Sequence, residues 1–143
     1  IRERVIVGTQ KSGRHISDVG IVLGAVTVVD EDRQKALYLA RRRAVVYIDV
    51  IGNKDPTAVL DFAVELRDIK HFMRQGDIDE AMKHLPDDLL RKFAFAGTPG
   101  DVIQQVEELF EAGASRVEFG APQGIDQVDG INIIGRKVLP YFK

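Results

Sequence analysis

With 143 residues, 45% of them apolar and 29% charged, the chain has the size and composition of one globular domain with a core of its own. A formal net charge of −2 gives it no basic field to displace counterions, so no nucleic-acid partner is expected. The absence of cysteine excludes disulfides, thiolate metal sites and cysteine nucleophiles. No run approaches the roughly 18 apolar residues of a membrane span, and no signal peptide is legible. The expectation is a cytoplasmic protein without membrane contact. Residues 1–143 read as one segment which, opening at Ile1 already in helical pattern, is expected to belong to something longer.

Residues 1–11 read as a helix with Ile1, Val5 and Ile6 on one side, closed by Ser12-Gly13. Val19–Val29 is nearly continuous and β-branched, the pattern of a parallel strand buried on both faces. Asp30 is expected to cap the next helix, with Leu37, Ala40, Ala44, Tyr47, Ile48 and Ile51 buried and Gly52-Asn53 at its end. A second helix runs from Pro56 through Val59, Phe62, Ala63, Leu66, Ile69 and Met73 to Gln75-Gly76. Asp77-Ile78-Asp79-Glu80 is a capping box for a short helix. Pro86-Asp87-Asp88 opens another, leading into a strand over Lys92–Ala96.

At Thr98-Pro99-Gly100-Asp101 a cap, a proline at the first helical position and a returning carboxylate together start a helix. Val102, Ile103, Val106, Leu109 and Phe110 form its apolar face, and Gly113 its left-handed stop. Ser115–Gly120 reads as a third strand, Gly120–Gly124 as a loop, and 128–142 as a last helix burying Ile131, Ile134, Val138 and Leu139. Three strands alternating with helices predict one parallel α/β sheet, with Gly97 and Gly120 at the same end. A closed (β/α)8 barrel takes about 250 residues, so the chain is expected to supply its C-terminal portion, with two successive helices elaborating the first crossover.

Alternation along the third strand puts Arg116, Glu118 and Gly120 on one face, Val117 and Phe119 on the other. Glu118 is expected to form an interior ion pair with Arg116, a ligand-facing or proton-transferring role being the alternative. Beyond that strand, Gly120 and Gly124 permit close approach of backbone to a ligand and Gln123 offers an acceptor and two donors; a plain turn is the alternative. Thr98 and the amides of Gly100 and Asp101 have phosphate-binding geometry, but capping already accounts for Thr98, and the Asp101 charge opposes an anion. His15, His71 and His84 stand apart and read as solvated, so no metal site is expected. Arg41, Arg42 and Arg43 project about 100° apart around their helix and read as a solvated face. No Gly-x-Gly-x-x-Gly or Walker sequence and no Ser/His/Asp set is present. By chemistry alone no catalytic residue is assigned.

The text Phe93-Ala-Phe-Ala-Gly-Thr-Pro-Gly-Asp-Val-Ile, then Leu109-Phe-Glu-Ala-Gly-Ala and Arg116-Val-Glu-Phe-Gly-Ala-Pro-Gln-Gly, resembles the C-terminal end of the methylenetetrahydromethanopterin reductases. Gly130-Ile-Asn-Ile-Ile-Gly-Arg-Lys-Val-Leu-Pro and Val28-Val-Asp-Glu-Asp-Arg look like the same family, which belongs to the bacterial luciferase-like superfamily of (β/α)8 barrels. The resemblance implies an oxidoreductase of archaeal one-carbon metabolism and methanogenesis. It implies hydride transfer from the reduced 8-hydroxy-5-deazaflavin coenzyme F-420 to a tetrahydromethanopterin-type substrate. The family's catalytic acid lies on early strands and maps to no position here. Gly97, Thr98, Gly120, Pro122 and Gln123 are the expected cofactor-binding or pocket-wall residues, and a homo-oligomer is the expected assembly. The alternatives are another luciferase-like oxidoreductase using deazaflavin or FMN, and a non-catalytic, self-associating α/β module.

Overall fold

The computed structural model describes residues 2–51 and 61–142. Ile1, the side chain of Ile51, the helix end at Gly52-Asn53 and the helix start at Pro56 and Val59 fall outside that description. Three strands, β1 (Val22–Val29), β2 (Ala94–Gly97) and β3 (Arg116–Gln123), form one sheet. Its order is β2-β1-β3 with both pairings parallel, as expected of strands joined by helical crossovers. The helices are α1 (Arg2–Lys11), α2 (Arg33–Ile51), α3 (Ala63–Arg74), α4 (Ile78–Lys83), α5 (Asp87–Leu90), α6 (Pro99–Glu111) and α7 (Gln127–Ile133). The last continues through a π turn over Ile134–Val138 into a 3-10 turn over Leu139–Phe142.

β1 starts at Val22, later than expected, because Ile16–Asp18 fold into a 3-10 turn capped by His15. β2 pairs only with Val26–Val29, the C-terminal half of β1, whereas β3 pairs along Val22–Val28. The N-terminal half of β1 is therefore not buried on both faces, and Val22 is exposed. Register and alternation define two faces. One carries Val26, Val28, Ala94 and Ala96, sealed by Ala36, Leu37, Ala40, Ala44, Val45 and Ile48 of α2 and by α3–α5 behind it. The other carries Ala25, Val29, Phe95, Val117 and Phe119, sealed by Val102 and Val106 of α6 and by Ile134 and Val138.

Several side chains depart from the periodic reading. Asp32, not Asp30, caps α2: its Oδ1 accepts from the amides of Gln34 and Lys35 at 3.1 and 3.2 Å. Asp30 supports the turn before it, accepting from the Asp32 amide at 2.8 Å. Tyr47 is exposed, since the face of α2 that meets the sheet is the narrower Ala40-Ala44-Ile48 line. Ala63 is exposed too, although Leu66 and Ile69 are buried as expected. Ile131 and Leu139 are exposed while Ile134 and Val138 are buried. A Cβ at Gly130 would meet Gln123 O at 2.5 Å, so the helix rides on the Gly130-Ile134-Val138 line and the π turn breaks the 3.6-residue period beyond it.

Candidate functional site

β2 ends with Gly97 beside Val29, and the Gly97 carbonyl accepts the Asp30 amide at 3.1 Å. Gly97 adopts φ +127°, and a Cβ there would meet Asp101 Oδ2 at 2.5 Å, so the turn needs glycine. Thr98 Oγ1 accepts from the Asp101 amide at 3.3 Å, while Asp101 Oδ2 accepts from the Thr98 amide and hydroxyl, both at 2.8 Å. Pro99 occupies the first turn, completing the expected capping box. Arg33 Nε lies 3.2 Å from Asp101 Oδ2, tying α2 to α6. Partial burial pushes the Asp101 carboxyl up, but the Thr98 hydrogen bonds and the Arg33 charge outweigh it and hold it below its ordinary value.

On the other side of β1, Gly120 lies beside Val26, where a Cβ would meet Ala25 O at 2.6 Å. The expected loop after it is still strand: β3 passes through a cis Ala121-Pro122 peptide to Gln123, beside Val28. The register slips between Val26 and Val28, an irregularity of the kind that bends a strand end. Gln123 adopts φ +66°. Its Nε2 donates to Phe119 O at 3.1 Å, and its Oε1 accepts from Gln127 Nε2 at 3.0 Å. Gly97, Thr98, Pro122 and Gln123 thus gather at the C-terminal edge of the sheet, with Gly120 in the same half, three rungs lower.

An apolar recess of about 580 Å³ lies between Tyr38 and Leu39 of α2 and Ile125, two residues past Gln123, with Gln34 and Lys35 beside it. Neither Tyr38 nor Ile125 is among the residues that the sequence pattern singles out. A second recess of about 590 Å³ opens over Gly24, Glu118 and Gly120, walled by Tyr47, Lys92 and Phe93. Glu118 does pair with Arg116, at 3.0 Å, but the pair is not interior: the side chains are 60% and 67% exposed. Of α2, Tyr47 reaches that half of the face.

The histidines divide. His15 caps the 3-10 turn and His71 meets the Gln75 amide at 3.0 Å; both are exposed. His84 is half-buried rather than free in solvent, stacked on Phe72 at 5.0 Å with Asp68 Oδ2 at 3.7 Å. No group of three metal-ligating side chains occurs among the described residues. Arg41 and Arg42 are not simply solvated: they pair with Asp87 and Asp79 and fasten α2 to the short helices.

Residues 1–116 match the luciferase-like monooxygenase family. The 5,10-methylenetetrahydromethanopterin reductase of Methanopyrus kandleri is 29% identical over 140 residues, covering 95% of this chain and 39% of that protein. The enzyme of the same name from Archaeoglobus fulgidus is 30% identical over 149 residues, covering 99% of this chain and 44% of that protein. Among solved structures, the coenzyme F-420-dependent tetrahydromethanopterin reductase of Methanopyrus kandleri superposes with a TM-score of 0.81 at 24% identity, over 95% of this chain and 39% of that one. The chain therefore spans about two fifths of the length of these relatives. The superposition shows a shared fold, and the family match over residues 1–116 places the chain in the luciferase-like monooxygenase family.

Proposed function

We propose that the chain is part of a coenzyme F-420-dependent methylenetetrahydromethanopterin reductase, in which it walls the cofactor and pterin pocket at the C-terminal edge of its sheet. The observation that carries this reading is that curated relatives of that name match 95% and 99% of the chain. The residues of the edge suit a planar ligand. Gly97 and Gly120 let neighbouring backbone and the Asp101 carboxylate pack closely at this end of the sheet, Pro122 and Gln123 end the neighbouring strand, and Tyr38, Leu39 and Ile125 offer an apolar wall. The deazaflavin, when bound, supplies the hydride. The chain's own part is to position and to exclude water: Thr98 and Asp101 fix the helix start behind Gly97, and the Gln123–Gln127 contact fixes the end of β3.

Neither tight glycine is replaceable by a larger residue without moving backbone, which gives these positions a packing role independent of any ligand. The whole of 1–143 acts as one segment of a barrel domain in a cytoplasmic, homo-oligomeric enzyme without nucleic-acid partners. No described helix is long and apolar enough to cross a membrane. The test is a reductase in which this chain replaces the matched segment of the Archaeoglobus fulgidus relative, assayed for oxidation of reduced coenzyme F-420 with methylenetetrahydromethanopterin. Turnover supports the reading. A folded, coenzyme-binding chimera that reduces no pterin, but oxidises the coenzyme with another acceptor, overturns it in favour of a different luciferase-like oxidoreductase.

A further inference from the structure

Gln105 of α6 closes the outer side of β2. The Ala96 amide donates to Gln105 Oε1 and Gln105 Nε2 donates to the Ala96 carbonyl, each at 3.1 Å. One side chain thus clamps the outward backbone of a four-residue strand, in the place a further strand would take. In a closed parallel barrel every strand has a hydrogen-bonded neighbour on both sides, and strands that follow one another in the chain lie side by side. β2 meets neither condition. No strand can pair beyond Ala96 while Gln105 holds it, and β3, the next strand in the chain, lies not beside β2 but across β1.

β1 has room where β2 stops. β3 accompanies it over residues 22–28 on one side, whereas β2 accompanies it only over residues 26–29 on the other. Beside residues 22–25 that second side meets no strand among the described residues, and Val22 and Gly24 are exposed. Parity says which groups point into the gap. The Ile21 carbonyl turns to β3, accepting the Arg116 amide at 3.3 Å, and the Asp30 amide turns to β2, donating to Gly97 O at 3.1 Å. In a parallel strand the amide and carbonyl of one residue point to the same side, so those of Leu23 and Ala25 face β3 and those of Val22 and Gly24 face the gap. A recess of about 670 Å³ lies there against Leu23, Gly24 and Ala25, with the apolar side chains of Phe62, Phe95 and Leu109 on its walls.

We propose that the gap beside residues 22–25 receives a parallel strand from the rest of the reductase polypeptide, so that β1 and β3 are adjacent strands of the barrel wall and β2 stands outside the ring. This rests on the reading of the chain as part of a reductase barrel. The chain spans about two fifths of its relatives, and the remaining length carries the other wall strands. The incoming strand hydrogen-bonds to Val22 and Gly24 and lays its apolar side chains against Phe95 and Leu109. It ends level with Val26, where β2 takes over the same side of β1. β2 is then an insertion in the crossover from β1 to β3, pinned by Gln105 at the C-terminal edge, where it carries Gly97 and the start of α6.

The experiment is amide hydrogen exchange on the 143-residue chain and on the chimera in which it replaces the matched segment of the Archaeoglobus fulgidus relative. In the chain alone the Val22 and Gly24 amides are expected to exchange freely while those of Leu23 and Ala25 are protected by β3. In the chimera Val22 and Gly24 slow by about tenfold or more, and Ala96 keeps the protection Gln105 gives it. Gly24→Pro removes an amide that has no partner in the chain alone, so the urea midpoint of the chain stays nearly unchanged while the chimera loses the slowing at Val22. Val22 and Gly24 amides already protected in the chain alone overturn the proposal. So does a chimera in which Ala96 loses protection, because β2 then yields its place to the incoming strand. A chimera that reduces the pterin with Val22 and Gly24 still exchanging freely overturns it and leaves the reductase reading intact. Slowed exchange in a chimera that reduces no pterin supports the strand pairing and counts against that reading alone.

Discussion

Asp101 serves three groups with one carboxylate: the Thr98 amide, the Thr98 hydroxyl and the Arg33 guanidinium. Its carboxyl is held below the ordinary value of 3.8, so folding favours the ionised form. The stabilisation is complete above about 3.8 and disappears as pH falls through the lower, folded value. Urea denaturation of the protein and of Asp101→Asn is expected to show a stability difference that is constant near neutrality and shrinks below that range; a difference growing on acidification refutes the assignment. Thr98→Ala removes the other half of the box and is expected to cost about 1 kcal/mol, the usual value for a helix cap. Its effect on ligand affinity is expected to be small, because capping alone accounts for the hydroxyl. A large rise in coenzyme dissociation constant at unchanged melting temperature would make Thr98 a ligand contact instead.

Among the elements, β2 depends most on a single outside side chain. Replacing Gln105 by leucine keeps the volume but leaves the amide and carbonyl of the buried Ala96 without partners, at a cost of about 1–3 kcal/mol. Hydrogen exchange provides the local readout: the Ala96 amide is expected to lose protection in Gln105→Leu while those of β3 keep theirs. That clamp was invisible in the sequence, because a glutamine on a helix carries no mark of the strand it will meet. What was legible followed local rules. The cap at Thr98, the stop at Gly113 with φ +98° and the cap at Asp77 come from chemistry within a few residues of each position, and the parallel pairing of the three strands from the helix-length connections between them. Features set by distant partners were not. β3 runs on to Gln123 because β1 is there to pair with it, Ile131 turns outward because Gly130 seats the helix on Gln123, and Glu118 faces an open recess walled, among the described residues, by Tyr47, Lys92 and Phe93.

For the molecule as a whole, the acids at the C-terminal edge decide what the chain does alone. Reduction of a methylene-bridged pterin requires a positioned proton donor beside the hydride source. At this edge Asp30 holds the Asp32 amide, Asp32 caps α2 and Asp101 accepts from the amide and hydroxyl of Thr98, the cap of α6. Glu31 pairs with Lys137 at 2.6 Å, and Asp126 caps α7 through the amides of Val128 and Asp129. Each of these carboxylates is already engaged as a hydrogen-bond acceptor or in an ion pair within the fold. Glu118 is exposed, but it lies beside Gly24, five residues before the end of β1, and is paired with Arg116. The purified 143-residue chain is therefore expected not to oxidise reduced coenzyme F-420 in the presence of methylenetetrahydromethanopterin, with the coenzyme's absorbance as readout. Turnover above the uncatalysed rate that vanishes in Glu118→Gln would make Glu118 the acid and overturn its assignment as one half of a surface ion pair.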